Sequence, residues 1–260
     1  WLKLCGQIYE GKPALLADYN ERKGMRALGA RYGWWKTALK NSVTYKMVRN
    51  NEEVNLLIER GNEILGVLGY TEHSRKHAAK VAETAAGILE DLGYGKHEIE
   101  LARIAGYMHD IGNSINRNDH AHSGGILAYG ILKEMGMELR DAAVVAGAIG
   151  HHDEATGTAI DVVSAALILA DKTDVRRNRV RNPIVANFDA HDRVNYAALS
   201  SKVRVSREKR VIQMDLELDD SMCTVMDYFE IFLERMMMCR RAAEVLGTKF
   251  KLVANGNKVC

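Results

Sequence analysis

Only two of the 260 residues are proline, Pro13 and Pro183. Between them no side-chain ring removes a backbone donor or collides with the preceding turn, so long stretches are free to be helical. Apolar spacing supports this. Residues 52–67 carry Val54, Leu57, Ile58, Ile64, Leu65 and Val67 at helical intervals, and residues 72–92 carry Val81, Ala82, Ala85, Ala86, Ile88, Leu89 and Leu92 ahead of a C-capping Gly93. Further helices are predicted at about 97–110, 122–136, 139–151 and 159–174, joined by short loops.

The pattern changes beyond residue 180. Residues 178–200, with Pro183 and several Asn and Asp, read as a connector. In 211–218, VIQMDLEL, the residues Ile212, Met214, Leu216 and Leu218 alternate with polar ones, which predicts a half-buried strand, and 202–205 supply a shorter partner. A long helix is expected at about 220–246. Its Met222, Met226, Phe229, Leu233, Met236 and Met237 form a stripe that reads as core rather than as a cofactor site. FKLVANGNKVC closes the chain with a strand and an Asn-Gly turn. The expected architecture is mostly α: a helical bundle over 47–180, a small ββαβ-like unit over 181–260, and an N-terminal extension over 1–46.

Composition narrows the class. An apolar fraction of 47 % with 27 % charged residues excludes global disorder and coiled coil. No apolar run is long enough to span a bilayer, and no signal peptide is expected, because no apolar h-region follows Lys3 or Lys12. The net charge of +2 points to neither nucleic acid nor membrane, yet its distribution is uneven: residues 1–50 hold ten Lys/Arg against three Asp/Glu, together with Trp1, Trp34 and Trp35. That segment reads as a helical extension packed through its tryptophans or as a docking element for nucleic acid or a partner. The four cysteines, Cys5, Cys223, Cys239 and Cys260, lack CxxC spacing and read as reduced thiols of a cytoplasmic protein rather than a zinc site.

The chemistry is carried by histidine. His73, His77, His109, His120, His122, His151 and His152 fall at or beside the ends of successive predicted helices, with Asp110 directly after His109 and Asp171 in LILADKTD. Burying so many imidazoles without partners would be costly, and a metal centre resolves this, since neutral imidazole and carboxylate are both ligands for divalent transition metals.

These residues resemble the HD-domain metal-dependent phosphohydrolases, whose pattern is H…HD…H…H…D on a helical bundle. GYMHDIGN looks like the family signature; HAAKVAETAAGIL matches the first-ligand helix from His77; HAHSGGILAYGIL matches the helix opened by His120; His152 follows Ala148-Ile149 at the family spacing; and Asp171 matches the closing aspartate. The resemblance spans about residues 70–180. It implies that Asp110 bridges two ions, one completed by His77, His109 and Asp171, the other by His120 and His152. The ions could be Fe, Mn, Ni, Co or Zn. His73 lies one turn before His77 and competes with it, His122 competes with His120, and His151 stands beside His152 as a further ligand; His73 and His122 are otherwise expected at the substrate.

In such a centre a bridging water is acidified and phosphoryl charge is neutralised. The resemblance thus implies cleavage of a phosphoester or phosphoanhydride in a nucleotide or similar phosphorylated small molecule. Asp110 and Lys172 are the expected catalytic pair. Among Lys172, Arg176, Arg177, Arg179 and Arg181, the two nearest arginines, Arg176 and Arg177, are expected to bind phosphate; the competing role for this run is a solvated helix end. Cyclic-diguanylate phosphodiesterases of the superfamily read HDIGK and carry a GYP run, whereas Asn113 and ATGTAIDV stand here, which argues against that substrate. Some members of the superfamily are oxygenases with the same ligand pattern. The alternatives are a ribonuclease Y-like phosphodiesterase, although no GXXG RNA clamp is evident, and a non-catalytic nucleotide-binding module. Specificity is assigned to loops 112–121 and 153–160 and to the C-terminal unit.

Overall fold

The computed structural model describes residues 43–259. The expectations for the tryptophan-bearing extension fall outside the described residues, as do Cys5 and Cys260. Helix α1 (Tyr45–Arg49) leads into α2 (Glu52–Val67), α3 (Arg75–Leu92) and α4 (Lys96–Met108). A 3-10 turn at Ile111–Ser114 precedes α5 (His120–Glu134), α6 (Leu139–Gly150) and α7 (Val162–Lys172). Local chemistry starts these helices where the sequence changes character: Asn51 and Ser74 cap α2 and α3, and Asp161 with Ser164 forms a capping box on α7.

Helix α7 is the axis of the bundle. Residues 163–170 are all buried, so no polar face is left, and the helix packs on α3, α4, α6 and a later helix over Val225–Val245. Close packing elsewhere depends on small residues. A Cβ at Gly106 would stand 2.7 Å from the Ala82 Cα, so α4 and α3 touch nearly backbone to backbone. The face that α3 turns inward is alanine-rich: Ala78, Ala82, Ala85 and Ala86 are all buried.

The expected connector at 178–200 is more ordered than its composition suggests. It contains 3-10 turns at Arg177–Arg179 and Val185–Asn187 and a short helix α8 (Ala190–Ala197), capped by Asp189. Strand β1 (Ala198–Ser206) begins inside that interval. Helix α8 has only eight residues, too few for an apolar repeat to show, which explains why periodicity misses it. Strand β2 (Val211–Leu218) pairs antiparallel with β1, α9 (Val225–Val245) crosses over, and β3 (Lys249–Ala254) returns parallel to β2 before β4 (Asn257–Lys258) turns back. The small unit is therefore ββαββ, with sheet order β1-β2-β3-β4.

The methionine stripe on α9 is only partly core. Tyr228, Phe232, Met236, Cys239 and Ala243 are buried, whereas Met226, Leu233 and Met237 are exposed. Apolar residues occur on more than one side of this helix, and packing against α7 and β3 selects the face that includes Tyr228. The helix also departs from helical geometry at Phe232 (φ −117°, ψ 16°). Among the described residues no helix is long and apolar enough to cross a membrane.

Candidate metal centre

Four imidazoles meet where α3, α4, α5 and α6 begin or end. His77 sits in the first turn of α3, His109 caps the C-terminus of α4, His120 opens α5, and His152 follows α6. All four are buried, as is Asp110. The turn after Asp110 brings two of these elements together: a Cβ on Gly112 would lie 2.0 Å from the His120 carbonyl oxygen, so only glycine lets α5 start this close.

Each ring is oriented through Nδ1. His109 donates to the Gly106 carbonyl at 2.9 Å, His120 to that of Arg117 at 3.1 Å, and His152 to that of Ile149 at 2.7 Å. A carbonyl can only accept, so the proton of each neutral ring is on Nδ1 and the Nε2 lone pair points inward. His77 Nδ1 lies 2.8 Å from Asp174 Oδ2. The inward nitrogens are crowded: His77 and His109 Nε2 are 3.3 Å apart, and His120 and His152 Nε2 are 3.2 Å apart.

The carboxylates complete the cluster. Asp110 Oδ2 is 3.1 Å from His109 Nε2 and 3.6 Å from His77 Nε2, while Asp110 Oδ1 is 3.7 Å from His120 Nε2 and 4.0 Å from His152 Nε2. Asp110 thus faces one histidine pair with each oxygen. Asp171 Oδ1 lies 3.4 Å from His77 and 3.5 Å from His109. Buried Asp110 Oδ2 has no hydrogen-bond partner. Converging lone pairs around an unpartnered carboxylate oxygen suit a divalent cation. Two overlapping groups have ligand atoms within 4.8 Å of one another: His77, His109 and Asp171; and His109, Asp110 and His152.

Electrostatics agree with that use. Burial pushes His152 down to about 3 and also lowers His120. On His109 burial is overcome by the carboxylates of Asp110 and Asp171, which raise it to about 10. A proton and a cation therefore compete for the same nitrogen.

The other expected site residues divide. His73 lines the cleft above the cluster, its ring centroid 5.5 Å from that of His77 and its Nδ1 donating to the Thr71 carbonyl. Lys172 is buried, with Nζ 2.7 Å from Asp171 and 3.2 Å from Glu154. His122 is not brought to the centre: it is 54 % exposed on the opposite side of α5 from His120 and faces Asp119. His151, the C-cap of α6, is turned with it into a separate shallow groove between α5 and α6.

The two arginines also part. Arg176 pairs with Asp174 at 2.7 Å and so braces the carboxylate that orients His77. Arg177 turns away, donating to the Tyr196 carbonyl and pairing with Asp219 at 3.1 Å. Helix α7 has ended at Lys172 and Arg176 is extended (φ −151°, ψ 138°), so neighbouring side chains alternate.

Sequence reasoning passed over Asp174, Glu154, Arg117 and Arg235. Asp174 had a signal, since it lies three positions after Asp171 in the same DKTD run. Asn113, noted only as a departure from HDIGK, donates to Asp110 Oδ1 at 2.9 Å and so shapes the carboxylate. The cleft over the cluster has a volume of about 390 Å³, and its walls include Tyr70, Arg117, Arg179, His191, Phe232 and Arg235.

Residues 75–193 match the family model of the HD domain. The chain is 26% identical over 200 residues to an uncharacterized protein of Methanocaldococcus jannaschii, a match covering 68% of this chain and 76% of that protein. It is 29% identical over 171 residues to ribonuclease Y of Oceanobacillus iheyensis, covering 61% of this chain but only 31% of that enzyme. A crystal structure described as a predicted HD superfamily hydrolase, from an uncultured Thermotogales bacterium, is 27% identical, with a TM-score of 0.38 over 48% of this chain and 67% of that one.

Proposed function

We propose that this chain, whose residues 75–193 match the HD-domain family model, is a metal-dependent phosphohydrolase acting on a phosphorylated small molecule. The observation that carries this is the convergence of four imidazole Nε2 atoms on Asp110, two facing its unpartnered Oδ2 and two its Oδ1, below a cleft whose walls include Arg117, Arg179 and Arg235. His77, His109 and Asp171 would hold one ion, His120 and His152 a second, and Asp110 both. Bound divalent ions would acidify a coordinated water and offset charge on the phosphoryl oxygens. The chain's own groups orient and exclude. Asn113 holds Asp110, and Asp174 holds His77. Lys172 balances the charge of Asp171 from a buried position, which argues for support of a ligand rather than contact with substrate.

The similarity to ribonuclease Y makes RNA the second reading. One feature favours a small molecule: the cleft is bounded by Asp189 and Asp192, which would repel a continuing phosphodiester backbone.

Elemental analysis of the purified protein, followed by turnover of nucleoside mono- to triphosphates, cyclic dinucleotides, guanosine tetraphosphate and short RNA, tests both readings. The expected result is bound transition metal and chelator-sensitive hydrolysis of a small phosphoester. Cleavage of RNA alone would favour the second reading, and a protein that binds no metal would overturn both.

A further inference from the structure

Helix α9 lies beyond the matched HD segment, yet it supplies part of the cleft wall through Phe232 and Arg235. The Arg235 guanidinium is held on one edge, with Nε donating to Glu154 Oε1 at 2.8 Å, and its carbon lies 4.4 Å from the centroid of the Phe232 ring. Glu154 is in turn fixed by Lys172 at 3.2 Å, and Lys172 by Asp171 at 2.7 Å. Burial opposes a charge at Arg235, but the carboxylates of Glu154 and Asp171 outweigh it and raise its pKa.

This arrangement leaves the other edge of the guanidinium without a protein partner. Among the described residues no acceptor meets Nη1 or Nη2, while the side chain is 26 % exposed and lines the cleft. A planar donor pair fixed from behind by a carboxylate and an aromatic ring is preorganised for a bidentate oxyanion. Holding an arginine in this way removes much of the rotamer entropy that binding would otherwise cost. A structural ion pair accounts for the Glu154 edge alone and leaves the unpaired Nη atoms of this cleft-lining arginine unexplained.

We propose that Arg235 is a substrate-binding residue that grips a phosphoryl or other oxyanion group seated in the cleft, with Glu154 as its positioning residue. The C-terminal ββαββ unit then completes the binding site of the HD domain. This rests on the reading of the cleft as a metal-dependent phosphohydrolase site.

The test is calorimetric titration of inorganic phosphate into metal-loaded full-length protein, with metal content and thermal midpoint recorded for each variant. Arg235→Gln is expected to weaken phosphate binding roughly tenfold to a hundredfold at unchanged metal content. Arg235→Lys keeps the charge but loses the fork, and is expected to fall between Gln and the wild type. If Arg235→Gln unfolds, Arg235→Lys alone decides. Equal phosphate affinity in the wild type and the folded variants would overturn the proposal and leave the metal centre standing, as would metal-loaded wild type that binds no phosphate. Wild-type protein that holds no metal would overturn the phosphohydrolase reading, and this proposal with it.

Discussion

Asp174 Oδ2 stands 2.8 Å from Nδ1 of His77, across 97 residues of chain. Asp174 is itself held by Arg176 and, at 3.8 Å, by Arg179. The carboxylate fixes the ring in the first turn of α3 and so orients its Nε2 toward the other donors. Asp174→Asn keeps the shape but weakens this effect. Metal affinity is expected to fall by about 10- to 100-fold, the usual cost of losing such a support. Competition with a chromophoric chelator measures it, and unchanged affinity would remove Asp174 from the centre.

Asp110→Ala should release every ion. It is the carboxylate that faces both histidine pairs, with Oδ2 toward His77 and His109 and Oδ1 toward His120 and His152. Retention of two metal equivalents in that variant, by elemental analysis, would rule out the bridge.

Gly112→Ala tests how α5 is seated. The new Cβ would meet the His120 carbonyl at 2.0 Å, and backbone rather than a flexible side chain must yield. Overpacking of this kind costs about 1–3 kcal/mol or more. Denaturant melts should show the loss, and displacement of His120 should lower metal content in the folded fraction. A variant with wild-type stability and metal content would contradict the close approach.

Arg176→Ala and Arg177→Ala should behave differently although they are adjacent. Arg176 braces Asp174, so its loss should weaken metal binding. Arg177 makes a half-exposed pair with Asp219 and packs over Tyr196 at 4.5 Å. Its loss should cost no more than about 1–2 kcal/mol of stability and leave metal affinity alone. Parallel chelator titrations and melts distinguish the two outcomes.

Cys239 should be silent toward thiol reagents until the protein unfolds. It is fully buried, and burial pushes its thiol from 9.0 up to about 12. The native state keeps a proton that the unfolded chain gives up. Its contribution to stability is therefore fully present below about pH 9 and is lost as pH rises from there through 12. Alkylation followed by peptide mass spectrometry at pH 8 should find Cys239 unmodified, and labelling of the native protein would show that α9 opens.

The helical bundle could be read from the residues because its signals are local. The C-cap Gly93, the spacing of Val81 to Leu92 and the alternation in 211–218 each depend on neighbours within a few positions. The order His77, His109-Asp110, His120, His152, Asp171 could be read for the same reason, each residue lying at or near a helix end that its own segment specifies. What could not be read is which side chains meet after the chain reverses. Arg176 and Arg177 look equivalent in sequence, and only the extended backbone after α7 sends one to Asp174 and the other to Asp219. The core face of α9 was likewise only partly legible: Met226, Leu233 and Met237, expected in the core, are exposed, because α7 and β3 pack against the side that carries Tyr228.

Residue types at helical spacing thus specified a mostly helical chain and a cluster of nitrogen and oxygen donors. Tertiary packing alone set His122 aside, joined Asp174 to His77 across 97 residues and brought Arg235 to Glu154 across 81. Partners so distant in sequence leave no periodic trace, because their pairing depends on where whole helices come to rest and not on the residues beside them.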